Sequence, residues 1–321
     1  MTQGRLAKNK VVVIGGGTGL GTILRGLKTT SLDLTAIVTV ADDGGSSGIL
    51  REELKMLPPG DIRNVLVALA EREPLLQSLF QHRFQNGNGL AGHSVGNLLI
   101  AGMQEITGDF VTAIQALSRV LAVRGRVYPA STQSIRLKAK MEDGSIVYGE
   151  SNIPKANKKI DRVYLEPDDV EALPEAILAI EKADLILFGP GSLYTSIIPN
   201  LLVQGIKEAL QKSKGTKMFI SNVMTQPGET DDYSVEDHIQ AIHKHVYAPL
   251  FDKVVVNNGP IPREILQKYH DQGAIPVAYD KKRLEAQGIK VIEDRLFILD
   301  EFLRHDAFRL TKIVLDSLKA L

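Results

Sequence analysis

Residues 10–21 read KVVVIGGGTGLG, an aliphatic run that breaks straight into a glycine cluster, with a helix-compatible stretch at 22–27 behind it. A buried strand that turns through glycines into a helix leaves free backbone N–H groups and the positive end of the helix dipole at the turn, and both favour an anion. The same feature returns as ADDGGSSGILR after the apolar run 34–40 and as FGPGSLYTS after 184–187. Repeated strand-to-glycine-loop junctions point to an α/β fold that holds a nucleotide or a phosphorylated ligand at its loops.

The glycine spacing argues against the simplest version of that idea. A dinucleotide fingerprint places glycines at its first, third and sixth positions, whereas this loop offers Gly15, Gly17 and then Leu20. No lysine followed by serine or threonine comes after the loop, so the P-loop pattern fails as well. NAD(P) binding stays open as an alternative because Asp42 lies about twenty residues beyond the loop, where an acid would meet a ribose. A tight turn that needs glycine only for positive φ is the plain structural alternative.

Aliphatic runs bounded by turn residues recur at 11–14, 34–40, 184–188, 217–220, 253–256 and 274–277. Helical periodicity fills most of the gaps, for example at 201–212, 235–245 and 261–270. Fully apolar strands separated by helices describe a mainly parallel sheet covered on both faces, a Rossmann-like, doubly wound α/β fold. The middle of the chain differs. Residues 134–140 and 146–150 alternate apolar and polar side chains around the turn Glu142-Asp143-Gly144-Ser145, which makes a hairpin with one wet face, and 160–165 supplies a further strand. The expected organisation is a single Rossmann-like domain over 1–321, with a small antiparallel insertion at about 126–170.

Composition limits the partners. Lysine plus arginine (38) equals aspartate plus glutamate (38), so no overall field draws the chain to nucleic acid or to an anionic membrane. Cysteine is absent, which removes disulfides, thiolate catalysis and cysteine-ligated metals together. The apolar run 11–14 is too short for a signal or a membrane span, and a cytoplasmic protein is the default expectation. No heptad or unpaired apolar stretch marks an oligomer interface, and a homo-oligomer stays open.

Several loops carry candidate site residues. Asp42 and Asp43, with the Ser46 hydroxyl close behind, stand at the carboxyl end of the second strand, where open α/β sheets bind ligands. They suit a ribose, a Mg²⁺ ion held against a diphosphate, or ordinary turn chemistry. In PPGDIRN, Asp61 is placed to cap the helix 62–71, with Arg63 and Asn64 in its first turn. An arginine there opposes the helix dipole and is better explained by an anionic partner. In GHSVGN, Ser94 reads as an N-cap with Asn97 three residues on, and His93 is either a candidate general base or phosphate donor, or a hydrogen-bonding loop residue. Gly189, Gly191 and Ser192 form the third loop, and Asn222 and Asn258 offer amides at two further strand ends.

Taken together, IGGGTGLG, TVADDGGSSGILR, PPGDIRN, GHSVGN, FGPGSLYTS and VNNGP resemble the YvcK (GlmR) family of bacterial gluconeogenesis factors, which are similar to the CofD transferases. The resemblance runs in order over nearly the whole chain. The CofD side of it implies a Rossmann-like core that binds a nucleotide-activated phosphorylated substrate with a divalent metal. The YvcK side implies a cytoplasmic protein needed for cell shape and wall (peptidoglycan) precursor synthesis on gluconeogenic carbon sources. It further implies binding of UDP-sugars, notably UDP-N-acetylglucosamine, and a link to glucosamine-6-phosphate synthase, so a sensor more than a catalyst. Under this resemblance the loops with Gly16, Gly17, Thr18 and Gly19 and with Gly189, Gly191 and Ser192 cradle phosphates. Asp42 and Asp43 face metal or ribose; Asn64, His93 and Asn97 line the pocket; Tyr269 and Arg304 add a stacking and charge pair from the C-terminal half.

Overall fold

The computed structural model describes residues 8–71, 74–299 and 302–320. The strands are β1 (Lys10–Gly15), β2 (Asp33–Val38), β3 (Arg126–Pro129), β4 (Arg136–Met141), β5 (Ile146–Tyr148), β6 (Ile160–Glu166), β7 (Leu185–Phe188), β8 (Thr216–Ile220), β9 (Lys253–Asn257), β10 (Lys290–Asp294), β11 (Phe297–Leu299) and β12 (Leu303–His305). Seven of them form one sheet in the order β10-β9-β8-β7-β1-β2-β3. Every neighbouring pair in it is parallel. A three-stranded antiparallel sheet, β5-β4-β6, and the β11-β12 ribbon stand apart from it.

The central strands are apolar along their length because helices cover both faces. All four residues of β7 are buried, as are Val11 to Gly15 of β1. Helix Gly17–Leu27 lays Leu20, Ile23, Leu24 and Leu27 on the sheet at helical spacing. Leu20 stands where a dinucleotide fingerprint would have its third glycine, and here it is a core residue. A Cβ on Gly15 would come within 2.3 Å of its Cδ1 atom. Truncating so fully buried a leucine to alanine costs about 2–5 kcal/mol.

The strands stay parallel, but the direction in which successive strands are added reverses between β1 and β7. From β1 the strand order runs outward to β2 and β3, and on the other side from β7 to β8, β9 and β10. The loops that leave the carboxyl ends of β1 and β7 therefore diverge and leave a crevice between them, the usual ligand position in such sheets.

Two sequence expectations shift. The run 274–277 is not a strand: it makes only an isolated bridge between Met224 and Pro276, and a proline cannot donate to a ladder. The sheet ends instead in β10, an edge strand in which only Val291 is buried, so it lacks the continuous apolar run that marks the inner strands. Arg126–Pro129, expected within the insertion, pairs with β2 and closes the other edge of the main sheet. The antiparallel sheet begins at β4. It is tied to helix Val235–Val246, where the Val163 N–H donates to His245 Nε2 at 3.0 Å and Lys244 pairs with Asp161.

Candidate functional site

A cavity of about 410 Å³ occupies the crevice at the point of reversal. One wall is the first glycine loop, Gly16 to Gly19, at the start of helix Gly17–Leu27. Gly16 is its N-cap, no side chain caps it, and no acid stands in its first turn. The facing wall is the third loop, with Pro190, Gly191 and Ser192, followed by the π-helical turn Leu193–Ile197, which supplies Thr195 and Ser196.

The third loop is held by amides. Asn222, at the end of β8, accepts from the Gly191 N–H at 3.1 Å and donates to the Gly191 carbonyl at 3.0 Å, while Gln226 donates to Ser192 Oγ at 2.9 Å. Asn200 ties the π-helical turn to the end of β1 by donating to the carbonyls of Ser196 and Gly15. Beneath the loop the buried Glu229 carboxylate accepts from the Tyr194 N–H and the Thr195 hydroxyl. Burial pushes its pKa up, against those hydrogen bonds.

The remaining wall is acidic. Asp42, Asp61 and Glu150 reach it from three different segments. Helix Gly60–Leu69 starts one residue before Asp61, its N-cap is Pro59, and no side chain caps it. Asp61 therefore does not cap its own helix, as its position in the sequence suggests, but accepts from the Gly17 N–H at the start of the neighbouring one. Burial, and then the charge of Asp42, raise its pKa to about 7. Burial also lifts Glu150, to about 8, with the charges of Asp42, Asp61, Asp43 and Glu229 adding to the effect. His305 closes the cavity; its buried Nδ1 has no hydrogen-bond partner, and burial depresses its pKa to about 4.

The sequence-predicted residues divide among several places. Gly16, Gly17, Thr18, Gly19, Asp42, Gly191, Ser192 and Asn222 line the cavity, while Gly189 lies at the start of the third loop. Asp43 turns away from Asp42: its Oδ1 accepts from the Ser151 N–H at 2.9 Å, and it faces a separate cavity against the antiparallel sheet. Ser46, Asn64 and Asn97 line an adjoining recess beyond Asp42 and Asp61. His93 is buried behind that recess, with its Nδ1 3.0 Å from Ser46 Oγ. Ser94 does cap its helix, accepting from the Asn97 N–H, but the Asn97 side chain bonds Ser46 and Arg63 instead of closing a capping box.

At the C-terminal side, Arg304 lines an outer cavity of about 800 Å³ that shares Gly17, Thr18, Gly19 and His305 with the main one. Tyr269 lines neither. Its hydroxyl accepts from the Leu303 N–H at 3.0 Å, so it holds the strand that carries Arg304. Asn258 is exposed, and the neighbouring Asn257 side chain is the one that binds backbone, at Gly259 and Leu296.

Among the described residues no group of three or more His, Cys, Asp or Glu is arranged to hold a metal ion. Asp42 and Asp61 are hard oxygen donors beside two phosphate-ready loops, and Mg²⁺ commonly takes one or two carboxylates and completes its shell with phosphates and water. Such an ion would use Asp42 with Asp61, since Asp43 faces elsewhere. No helix of the described residues is long and apolar enough to cross a membrane.

Fold and site together define a doubly wound α/β protein with an anion-ready crevice at its point of reversal. The family model described as 2-phospho-L-lactate transferase CofD matches residues 11–297. The chain is 57% identical over 314 residues to a gluconeogenesis factor of Halalkalibacterium halodurans, covering 97% of each chain. It is 52% identical to the gluconeogenesis factor of Bacillus subtilis, covering 97% of this chain and 99% of that one. A crystal structure of a member of the UPF0052 family from Bacillus halodurans superposes with a TM-score of 0.93 at 56% identity, over 97% of this chain and 99% of the other. The chain belongs to the CofD family and, within it, to the gluconeogenesis factors.

Proposed function

We propose that this protein is a UDP-sugar-binding regulator, with UDP-N-acetylglucosamine as its ligand, that adjusts wall-precursor synthesis and cell shape during gluconeogenic growth. The observation that carries the reading is the continuity of two cavities along Gly17 to Gly19. A diphosphate at the helix N-terminus would sit between two glycine loops, leaving room on either side for a nucleoside and a sugar. Arg304 and Arg25 line the outer cavity and supply positive charge that the inner wall lacks. The relatives' name, gluconeogenesis factor, supports the link to gluconeogenic growth.

Regulation is favoured over catalysis by the placement of His93. Its Nδ1 faces a serine, not a carboxylate, and it lies behind the recess, outside the crevice. The second reading, a CofD-like metal-dependent transferase, is favoured by Asp61 and Glu150, carboxyls that exchange protons near neutral pH at the wall of the crevice.

One experiment separates the two. The protein is incubated with UDP-N-acetylglucosamine and Mg²⁺, the nucleotide is followed by chromatography, and glucosamine-6-phosphate synthase is assayed with and without the protein. A regulator leaves the nucleotide intact and changes synthase activity in a way that the sugar nucleotide modulates. Multiple turnover of the nucleotide that Asp61→Asn abolishes would establish the transferase instead.

A further inference from the structure

PGDIRN and GHSVGN meet in a recess of about 320 Å³ that shares Asp42 and Asp61 with the crevice and Arg63 and Asn64 with the outer cavity, while its far side, with Arg83 and the start of helix Gly45–Glu53, lines neither. One side of it is the start of the nine-residue helix Gly45–Glu53. No side chain caps this helix and no acid stands in its first turn. Another side is Arg63, only 7% exposed. Its guanidinium donates to the side-chain oxygens of Ser94, Asn97 and Asn64, all neutral, and its buried Nε has no hydrogen-bond partner. Arg83 also lines the recess and donates to the Gly92 carbonyl.

Neither arginine forms an ion pair among the described residues. Burial, and then the like charge of Arg83, pull the Arg63 pKa below its ordinary value, opposed by the charges of Asp42 and Asp61. A buried cation supplied only with neutral acceptors is costly unless an anion joins it. Two guanidiniums beside an uncapped helix N-terminus present donors from several directions, which suits a tetrahedral phosphate better than a planar carboxylate.

We propose that this recess binds the phosphate group of a second, phosphorylated small molecule, held by Arg63, Arg83 and the first turn of helix Gly45–Glu53. Asp42 and Asp61 form the wall between this phosphate and the crevice, so the two sites can be filled together. The assignment does not depend on the identity of the nucleotide.

Inorganic phosphate is the probe, titrated calorimetrically at low ionic strength into the protein alone and into the protein with excess UDP-N-acetylglucosamine. Binding is expected in both titrations, and Arg83→Gln, an exposed position, should weaken it about tenfold while UDP-N-acetylglucosamine still binds as in the wild type. Arg63→Lys should likewise weaken phosphate binding if circular dichroism shows it folded, but Arg63 also lines the outer cavity, so the comparison of nucleotide affinity rests on Arg83→Gln, which also decides the question if Arg63→Lys does not fold. Absence of binding at millimolar phosphate, or undiminished binding in Arg83→Gln, would overturn the proposal. Stoichiometric displacement of phosphate by the sugar nucleotide would also overturn it, by assigning the anion to the crevice. A failure of UDP-N-acetylglucosamine to bind would count against the nucleotide reading alone, because the titration of the free protein still reports on the recess.

Discussion

Gly19 packs against Pro190 so closely that a Cβ on Gly19 would lie 1.9 Å from the Pro190 carbonyl oxygen. The first and third glycine loops are thus in direct contact at the base of the crevice, and backbone cannot yield there as a flexible side chain would. Gly19→Ala must push the loops apart. The expected cost is about 1–3 kcal/mol of folding stability, read from the denaturant midpoint, together with a clear loss of sugar-nucleotide affinity by calorimetry. An unchanged midpoint and affinity would show that the contact is unimportant.

Asp42 and Asp43 are neighbours in sequence with separate jobs. Asp42→Asn keeps an oxygen for the Gly44 N–H, which Asp42 Oδ1 now accepts at 2.9 Å, but removes a charge from the crevice. Affinity for UDP-N-acetylglucosamine should fall about tenfold with Mg²⁺ present and change little without it. Asp43→Ala strips the Ser151 N–H of its acceptor and should cost about 1 kcal/mol of stability, with nucleotide affinity retained. Equal losses of affinity in both variants would contradict this division.

The strands and the loops they feed follow from the sequence because continuous apolar runs and glycine clusters are local signals. β1, β2, β7, β8 and β9 all lie where those runs are. β10 was not visible because its exposed edge breaks the run, and β3 because nothing local says that Arg126–Pro129 returns to β2. The role of Asp61 was hidden for a similar reason. Sequence places a residue relative to its own helix, and only the tertiary fold puts its carboxylate at the start of another. Glu150 and His305 reach the crevice from the insertion and from the C-terminal ribbon, too far along the chain for any spacing rule to connect them to a glycine loop.

The raised carboxyl of Asp61 makes stability depend on pH. In the unfolded chain this group ionises near pH 4, whereas in the folded protein it holds its proton until about pH 7. Across that window the folded state binds more protons, so the contribution of Asp61 is fully present below about pH 4 and is lost as pH rises through 7. Glu150 acts in the same sense up to about pH 8. Buried histidines such as His305, depressed to about 4, act in the opposite sense below about pH 6.5. They are common to wild type and variant and cancel in the comparison. Relative to wild type, Asp61→Asn should therefore gain stability as pH rises from about 4 to about 7, at up to about 1.4 kcal/mol per pH unit, and the difference should level off above that. Urea midpoints across that range check this, and a constant difference between the two proteins would refute it.

Tyr269 and Arg304 should separate in their effects. Arg304 lines the outer cavity directly, while Tyr269 bonds the strand beside it and stacks edge-on with Phe302. Tyr269→Phe keeps the ring and loses one hydrogen bond, so it should weaken nucleotide binding less than Arg304→Ala does. Calorimetric titration of both variants gives the order, and a larger loss from Tyr269→Phe would place the tyrosine against the ligand.

The most direct test of the central claim is a calorimetric titration of the wild-type protein with UDP-N-acetylglucosamine and, separately, with NAD, each in the presence of Mg²⁺. The crevice is expected to bind the sugar nucleotide at one site per chain, with affinity reduced in Asp42→Asn. At 100 times its dissociation constant the ligand should add about 2.7 kcal/mol to the unfolding free energy. Binding of NAD with no detectable heat from UDP-N-acetylglucosamine at millimolar concentration would contradict the account.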